Sequence, residues 1–221
     1  MEKSTCQVWW AAPGLARSWH EDLLTPPERE RMVRLRRHED KQRLMIGNAL
    51  LRLTIAQAAG CPVGEVVIDR SCPDCEKPHG KPTVVGHDLH VSVSHSGNRV
   101  AVALTRVAQV GIDVEQVDPR VHVNELLANI LSPDEIATDM DFFTRWARKE
   151  AVLKATGLGL RMPMSKLTLG PQGLIGFDRP CVLRDLQPGP GYCAAVAVLT
   201  DAPIEIDERD GSWLLDRGDD A

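Results

Sequence analysis

The sequence predicts an α+β fold: a pseudo-two-fold pair of similar subdomains, each a helix packed on a small antiparallel sheet. Three observations carry that reading. Helix-start signals of one form occur twice, at Thr25-Pro26-Pro27-Glu28 and Ser132-Pro133-Asp134-Glu135, nearly half the chain apart. Each places a hydroxyl at the N-cap, Pro at N1 and Glu at N3, the makings of a capping box. A basic amphipathic helical pattern follows each box and ends near a Gly, and short β-rich runs follow each helix. The expected division is an N-terminal subdomain over residues 1–106, a C-terminal one over 107–200, and an acidic, partly mobile tail over 201–221. A ligand site then belongs in the cleft between the halves, because pockets favour such interfaces.

Gln7-Val8-Trp9-Trp10-Ala11 reads as an opening strand. The first capping box opens a helical region whose longest periodic stretch runs from Arg43 through Leu50 and Leu51 to Gly60. Arg99-Val100-Ala101-Val102-Ala103-Leu104 is a β run, and Ala194-Ala195-Val196-Ala197-Val198-Leu199 resembles it in the second half. Val110-Gly111-Ile112-Asp113-Val114-Glu115 alternates with period two, so Asp113 and Glu115 share a face. Residues 116–131 read as a linker interrupted by Pro119. Phe142 through Gly157 reads as a helix anchored by Phe142, Phe143, Trp146 and Leu153, with Lys149, Glu150 and Lys154 around its rim. Glu150 and Lys154 stand at i and i+4, on one face.

The chain has 221 residues, enough for a sizeable core. A net charge of −5 and 4% aromatic residues argue against a nucleic-acid partner, which asks for a basic, base-stacking surface. No apolar run is long enough to span a membrane, so none is expected as a partner. The first residues lack a secretory pattern, which predicts a cytoplasmic protein with its six Cys reduced. Basic residues cluster at 29–43, with Arg29, Arg31, Arg34, Arg36, Arg37, Lys41 and Arg43, and predict a local anion site.

An acidic strand is by itself most often a solvated face, and Glu150 with Lys154 is by itself a surface ion pair worth a few tenths of a kcal/mol. Together they offer three carboxylates and an ammonium. Mg²⁺ takes oxygen ligands from carboxylates, waters and substrate phosphates. Asp113, Glu115 and Glu150 are therefore the expected metal ligands, with Lys154 facing a phosphate.

These residues resemble the 4′-phosphopantetheinyl transferases, in their larger, single-chain Sfp-like branch. Gly111-Ile112-Asp113-Val114-Glu115 is similar to that family's acidic strand, and Val93-Ser94-His95-Ser96-Gly97 to its Ser-His turn. Trp146 through Lys154 is similar to its W-x-x-K-E-x-x-x-K helix, with weaker echoes at Gly80-Lys81-Pro82 and Arg43-x-x-x-Gly47. The resemblance covers roughly residues 20–200 and implies a pseudo-two-fold fold. It implies transfer of the 4′-phosphopantetheine arm of coenzyme A to a serine of an acyl or peptidyl carrier protein, with release of 3′,5′-ADP. Asp113, Glu115 and Glu150 would hold Mg²⁺; Glu150 would serve as base and Lys154 would assist the departing phosphate. Coenzyme A contacts are implied for Arg36, Arg43, Lys81, Ser94, His95, Asp113, Lys149 and Lys154. Where relatives have Pro-Glu-Lys-Arg this chain has Pro27-Glu28-Arg29, and Arg31 can supply the second charge. Pseudo-dimeric architecture implies a monomer. The carrier's acidic helix has two expected docking regions, the basic run and residues 116–131.

Two competing readings come with the sequence. Cys72-Pro73-Asp74-Cys75 followed by His79 is half of a zinc pattern, against a reduced loop beside the Gly-Lys-Pro turn. A non-catalytic carrier- or nucleotide-binding module is the other, and it would not need the carboxylate set.

Overall fold

The computed structural model describes residues 4–72, 74–75, 77–135, 142–170 and 173–216. In chain order the regular elements begin with β1 (Thr5–Ala11), α1 (Pro26–Arg34) and α2 (His38–Ala59). Next come β2 (Ile68–Asp69), β3 (Thr83–Val84), β4 (His90–Ser96), β5 (Arg99–Thr105), β6 (Val110–Gln116) and α3 (Val123–Ile130). The second half adds α4 (Phe142–Thr156), β7 (Thr168–Gly170), β8 (Gly173–Ile175) and β9 (Val182–Asp185). β10 (Tyr192–Val198), β11 (Glu205–Asp210) and α5 (Ser212–Asp216) close the described chain.

The strands make a six-stranded sheet in the order β11-β1-β5-β4-β3-β2 and a three-stranded sheet in the order β6-β10-β9. These two pack face to face with a helix outside each, in four layers. Side-chain alternation sets the layering. Val100, Val102 and Leu104 of β5 turn out toward α2 and join Ile46, Leu50 and Ile55, while Ala101 and Ala103 turn in. The inner core joins these alanines and Val8 to Val110, Ile112 and Val114 of β6 and Val196 and Val198 of β10. Ala195 and Ala197, on the other face of β10, pack under α4 with Ala151 and Val152. The α+β pair of helix-on-sheet units is thus present.

Gly111 lets α4 lie directly on β6. A Cβ there would stand 2.0 Å from Ala151 O, a backbone atom that cannot move aside. A second seam links β4 to β6. Ser92, Ser94 and Ser96 all face β6, and their Oγ atoms accept the backbone N–H groups of Ile112, Val114 and Gln116 at 3.1, 3.4 and 3.0 Å. The hydroxyl on every second residue of β4 therefore satisfies every second amide along the edge of β6, and those of Ile112 and Val114 would otherwise be unpaired buried donors.

Three expectations are corrected. Residues 201–221 are not simply an acidic tail: β11 pairs in parallel with β1 from Thr5↔Glu205 to Trp10↔Asp210, and Leu214 and Leu215 are buried in the first core. Residues beyond 216 lie outside the described ones. Residues 116–131 contain α3 rather than only a linker. The second capping box does form its Ser132 N–H to Glu135 Oε2 bond, at 2.8 Å, but Pro133 and Asp134 make a turn rather than the expected first helical residues, and residues 136–141 lie outside the described ones. Glu28 makes the equivalent bond to the Thr25 N–H and also receives Arg52, both at 2.8 Å.

Candidate active site

The side chains of Ser94, His95, Asp113, Glu115, Trp146, Glu150 and Lys154 line one cavity of about 310 Å³. It opens where β4, β6 and α4 meet. Asp113 and Glu115 reach it because they alternate on β6, and Glu150 and Lys154 because they are one helical turn apart on α4.

Asp113 is buried, and its Oδ1 accepts Lys154 Nζ at 2.6 Å and Ser94 Oγ at 2.9 Å. Its Oδ2 is also buried and has no hydrogen-bond partner among the described residues. A buried carboxylate oxygen without a partner is costly. Among the described residues, Glu115 receives only the Ser96 hydroxyl, at 3.1 Å. Burial, and then the neighbouring Asp113 charge, raise its carboxyl to about 7. Burial likewise raises Glu150, with Asp113 adding to the shift and Lys154 opposing it. Three carboxylates share a desolvated space with one ammonium, already spoken for by Asp113. Such a donor set is short of positive charge and suits a hard divalent cation with oxygen ligands. The oxygens of Asp113, Glu115 and Glu150 do not all stand within 4.8 Å of one another, so side-chain movement or bridging water would be needed to close the shell.

Val93 and His95 also line a neighbouring groove of about 940 Å³. Arg31, Arg34, Arg52, Arg70 and Lys77 line that groove beside Asn48, His79 and the α1 start. Burial lowers Arg70 from its ordinary value, the nearby Glu28 charge opposes that shift, and the Arg52 and Arg31 charges add to it. Burial also keeps His95 below the usual imidazole range, assisted by Lys154, Arg43 and Arg31. With five cations against Glu28, Glu30 and Asp69 on its lining, and Glu28 already paired with Arg52, the groove keeps a positive excess that suits an anion.

The structure brings together Ser94, His95, Asp113, Glu115, Glu150 and Lys154 as the sequence reading required. It does not bring Lys149. That ammonium is fully buried and donates to Glu135 Oε2 at 2.6 Å and to the carbonyls of Ile130 and Met164, so the expected coenzyme contact is corrected to a core anchor. Lys81 is also used elsewhere. Its Nζ donates to Val110 O at 3.0 Å and Ala155 O at 2.7 Å, tying the first half to the end of α4, and burial lowers it to about 8. Arg43 binds Asp40 and, at 2.9 Å, Gly97 O, so it braces the β4–β5 turn. Arg36 is exposed between α1 and α2 and lines neither cavity. The groove's Arg52 and Arg70 went unread: each is an isolated Arg outside the basic run. The spacing Ser92-x-Ser94-x-Ser96 was the available signal for the β4–β6 seam.

Two family models match the chain in tandem. One, described as the 4′-phosphopantetheinyl transferase superfamily, matches residues 109–179, and the other, 4′-phosphopantetheinyl transferase, N-terminal, matches residues 13–106. The chain belongs to the 4′-phosphopantetheinyl transferase superfamily and is an enzyme of that class. Its relatives place it on the Sfp-like branch. It is 26% identical over 200 residues to the 4′-phosphopantetheinyl transferase Sfp of Bacillus subtilis, covering 83% of this chain and 86% of that one. It is 29% identical over 181 residues to the 4′-phosphopantetheinyl transferase psf-1 of Bacillus pumilus, covering 75% of each. A rat L-aminoadipate-semialdehyde dehydrogenase-phosphopantetheinyl transferase is 24% identical over 186 residues, 74% of this chain and 57% of its own.

Proposed function

We propose that this enzyme takes coenzyme A as donor, uses Mg²⁺, and transfers the phosphopantetheine arm to a carrier-protein serine with release of 3′,5′-ADP. The supporting observation is the meeting of Asp113, Glu115, Glu150 and Lys154 in one cavity that adjoins a groove lined with arginines. The groove offers the right charge for the phosphorylated nucleoside end of coenzyme A, and the cavity offers it for the pyrophosphate. Asp113, Glu115 and Glu150 would hold the cation, which supplies neutralisation of charge building on the pyrophosphate oxygens.

The remaining work falls to this chain's residues. Glu150 takes the proton from the carrier serine hydroxyl as that oxygen attacks the phosphorus bearing the pantetheine arm. The bond from that phosphorus to the bridging oxygen breaks, and 3′,5′-ADP leaves with the electron pair. Lys154, oriented by Asp113 and Ser94, presents N–H donors to the departing phosphate. His95, at the junction of cavity and groove, contacts the phosphates between them. A non-catalytic module would have no use for the buried, repelling carboxylates.

Incubation with an apo carrier protein, coenzyme A and Mg²⁺ tests the reading. The carrier should gain the mass of one phosphopantetheine on serine, with 3′,5′-ADP formed in equal amount. No gain across a panel of apo carriers would favour the binding module. Glu115 supplies a second expectation. Its folded carboxyl, raised from 4.5 to about 7, contributes stability that is fully present below about 4.5 and lost as pH rises through about 7. Mg²⁺ binds only the carboxylate, so its addition should raise Tm little near pH 6 and clearly more near pH 8. Equal gains at both would remove Glu115 from the ligand set.

A further inference from the structure

A second cluster of metal-binding side chains stands apart from the carboxylates. The two sulfurs of Cys72 and Cys75 and a ring nitrogen of His79 all lie within 4.8 Å of one another, and Cys75 Sγ is 3.0 Å from His79 Nε2. Ligands about 2.3 Å (sulfur) or 2.1 Å (nitrogen) from a tetrahedral zinc ion stand under about 4 Å apart, so small side-chain movements suffice to bind one.

The surrounding backbone is shaped for this. Cys72 and Cys75 form an isolated antiparallel bridge, which turns the chain back on itself within one Cys-x-x-Cys unit. Backbone hydrogen bonds from Asp74 and Cys75 reach the Cys72 sulfur, the kind of outer support that fixes a thiolate ligand. Gly80 N–H donates to Arg70 O at 2.8 Å, closing the foot of the loop, and a Cβ on Gly80 would stand 2.3 Å from Ser71 O. The tip is tied to the second half by Arg161, whose Nε lies 3.4 Å from Asp74 Oδ2.

We propose that Cys72, Cys75 and His79 bind one zinc ion, with the fourth position taken by water or a small anion, and that the ion braces the wall of the basic groove. Arg70, Ser71, Lys77 and His79, which lie along this loop, all line that groove. The ion cross-links the two ends of the segment that presents them. Thiolate and imidazole ligands select zinc, whereas carboxylate oxygens select magnesium, so the two sites do not compete for one metal.

Metal analysis of the tag-free full chain, purified without chelator, should find about one zinc per chain, falling below about a tenth in the Cys72→Ser/Cys75→Ser double variant. Cobalt(II) added to the chelator-stripped wild-type chain should give an intense thiolate-to-cobalt absorption, a readout that does not depend on the variant folding. Zinc below about a tenth of an equivalent together with no such band would overturn the proposal. So would unchanged zinc in the double variant, or a Cys72–Cys75 disulfide in the freshly purified protein. Carrier modification is not among these readouts, so the site and the transferase reading can fail separately.

Discussion

Glu150→Gln and Asp113→Asn should each lower carrier modification by about a thousandfold or more while leaving the protein folded. The magnitude follows from the chemistry. Losing about 4 kcal/mol of charge stabilisation at the transferred phosphate is a factor of about 10³ in rate. The folding half of the prediction follows from the electrostatics. Glu150 accepts no hydrogen bond from a described residue, and both burial and the Asp113 charge work against its ionised form. Neutralising Glu150 relieves repulsion, so in metal-free buffer the Tm of Glu150→Gln should equal or exceed the wild-type value. Asp113→Asn instead gives up the ion pair with Lys154 and should melt somewhat lower while staying folded. Transfer within tenfold of wild type by either variant, in a mass-spectrometric time course, would remove that residue from the reacting site.

Glu135→Ala should destabilise the protein by about 3–5 kcal/mol. Glu135 accepts Lys149 Nζ at 2.6 Å, Arg145 at 2.9 Å and the amides of Ser132 and Leu169. The side chains of all three charged residues are at most 2% exposed. Removing the anion deprives two buried cations of this carboxylate, and against a total stability of about 5–15 kcal/mol the loss is a large fraction. Denaturant unfolding measures it, and a loss under about 1 kcal/mol would mean that the network is not what holds α4 to the strand region around Leu169. Lys149→Met sharpens the point. It should lower stability but leave the KM for coenzyme A unchanged where the variant is folded, whereas a phosphate-binding lysine would raise KM.

The carboxylate set was legible because β6 and the Glu150–Lys154 turn of α4 each declare their geometry locally. Alternation put Asp113 and Glu115 on one side, and a helical turn aligned Glu150 with Lys154. Lys149 was misread because a charged side chain was assumed to stay at the rim of its helix. Arg145 and Lys149 stand at i and i+4 on the face that carries Leu153, and both are drawn inward by Glu135, a residue distant in sequence that the capping box had already assigned. Residues 205–216 were misread for a related reason: Ile204 and Ile206 among acidic residues look like a tail until β1 supplies a partner from the other end of the chain. Lys81 belongs to the same class, since nothing local reveals that its ammonium will meet the carbonyls of Val110 and Ala155.

The central claim is that the three carboxylates of β6 and α4 act as one cation site that anchors the coenzyme pyrophosphate. Calorimetric titration of coenzyme A with Mg²⁺ or with a chelator tests it most directly. The account predicts at least about tenfold tighter binding with Mg²⁺, an increment of about 1.4 kcal/mol, lost in Asp113→Asn. Equal affinity of the wild-type protein with and without the metal would contradict it.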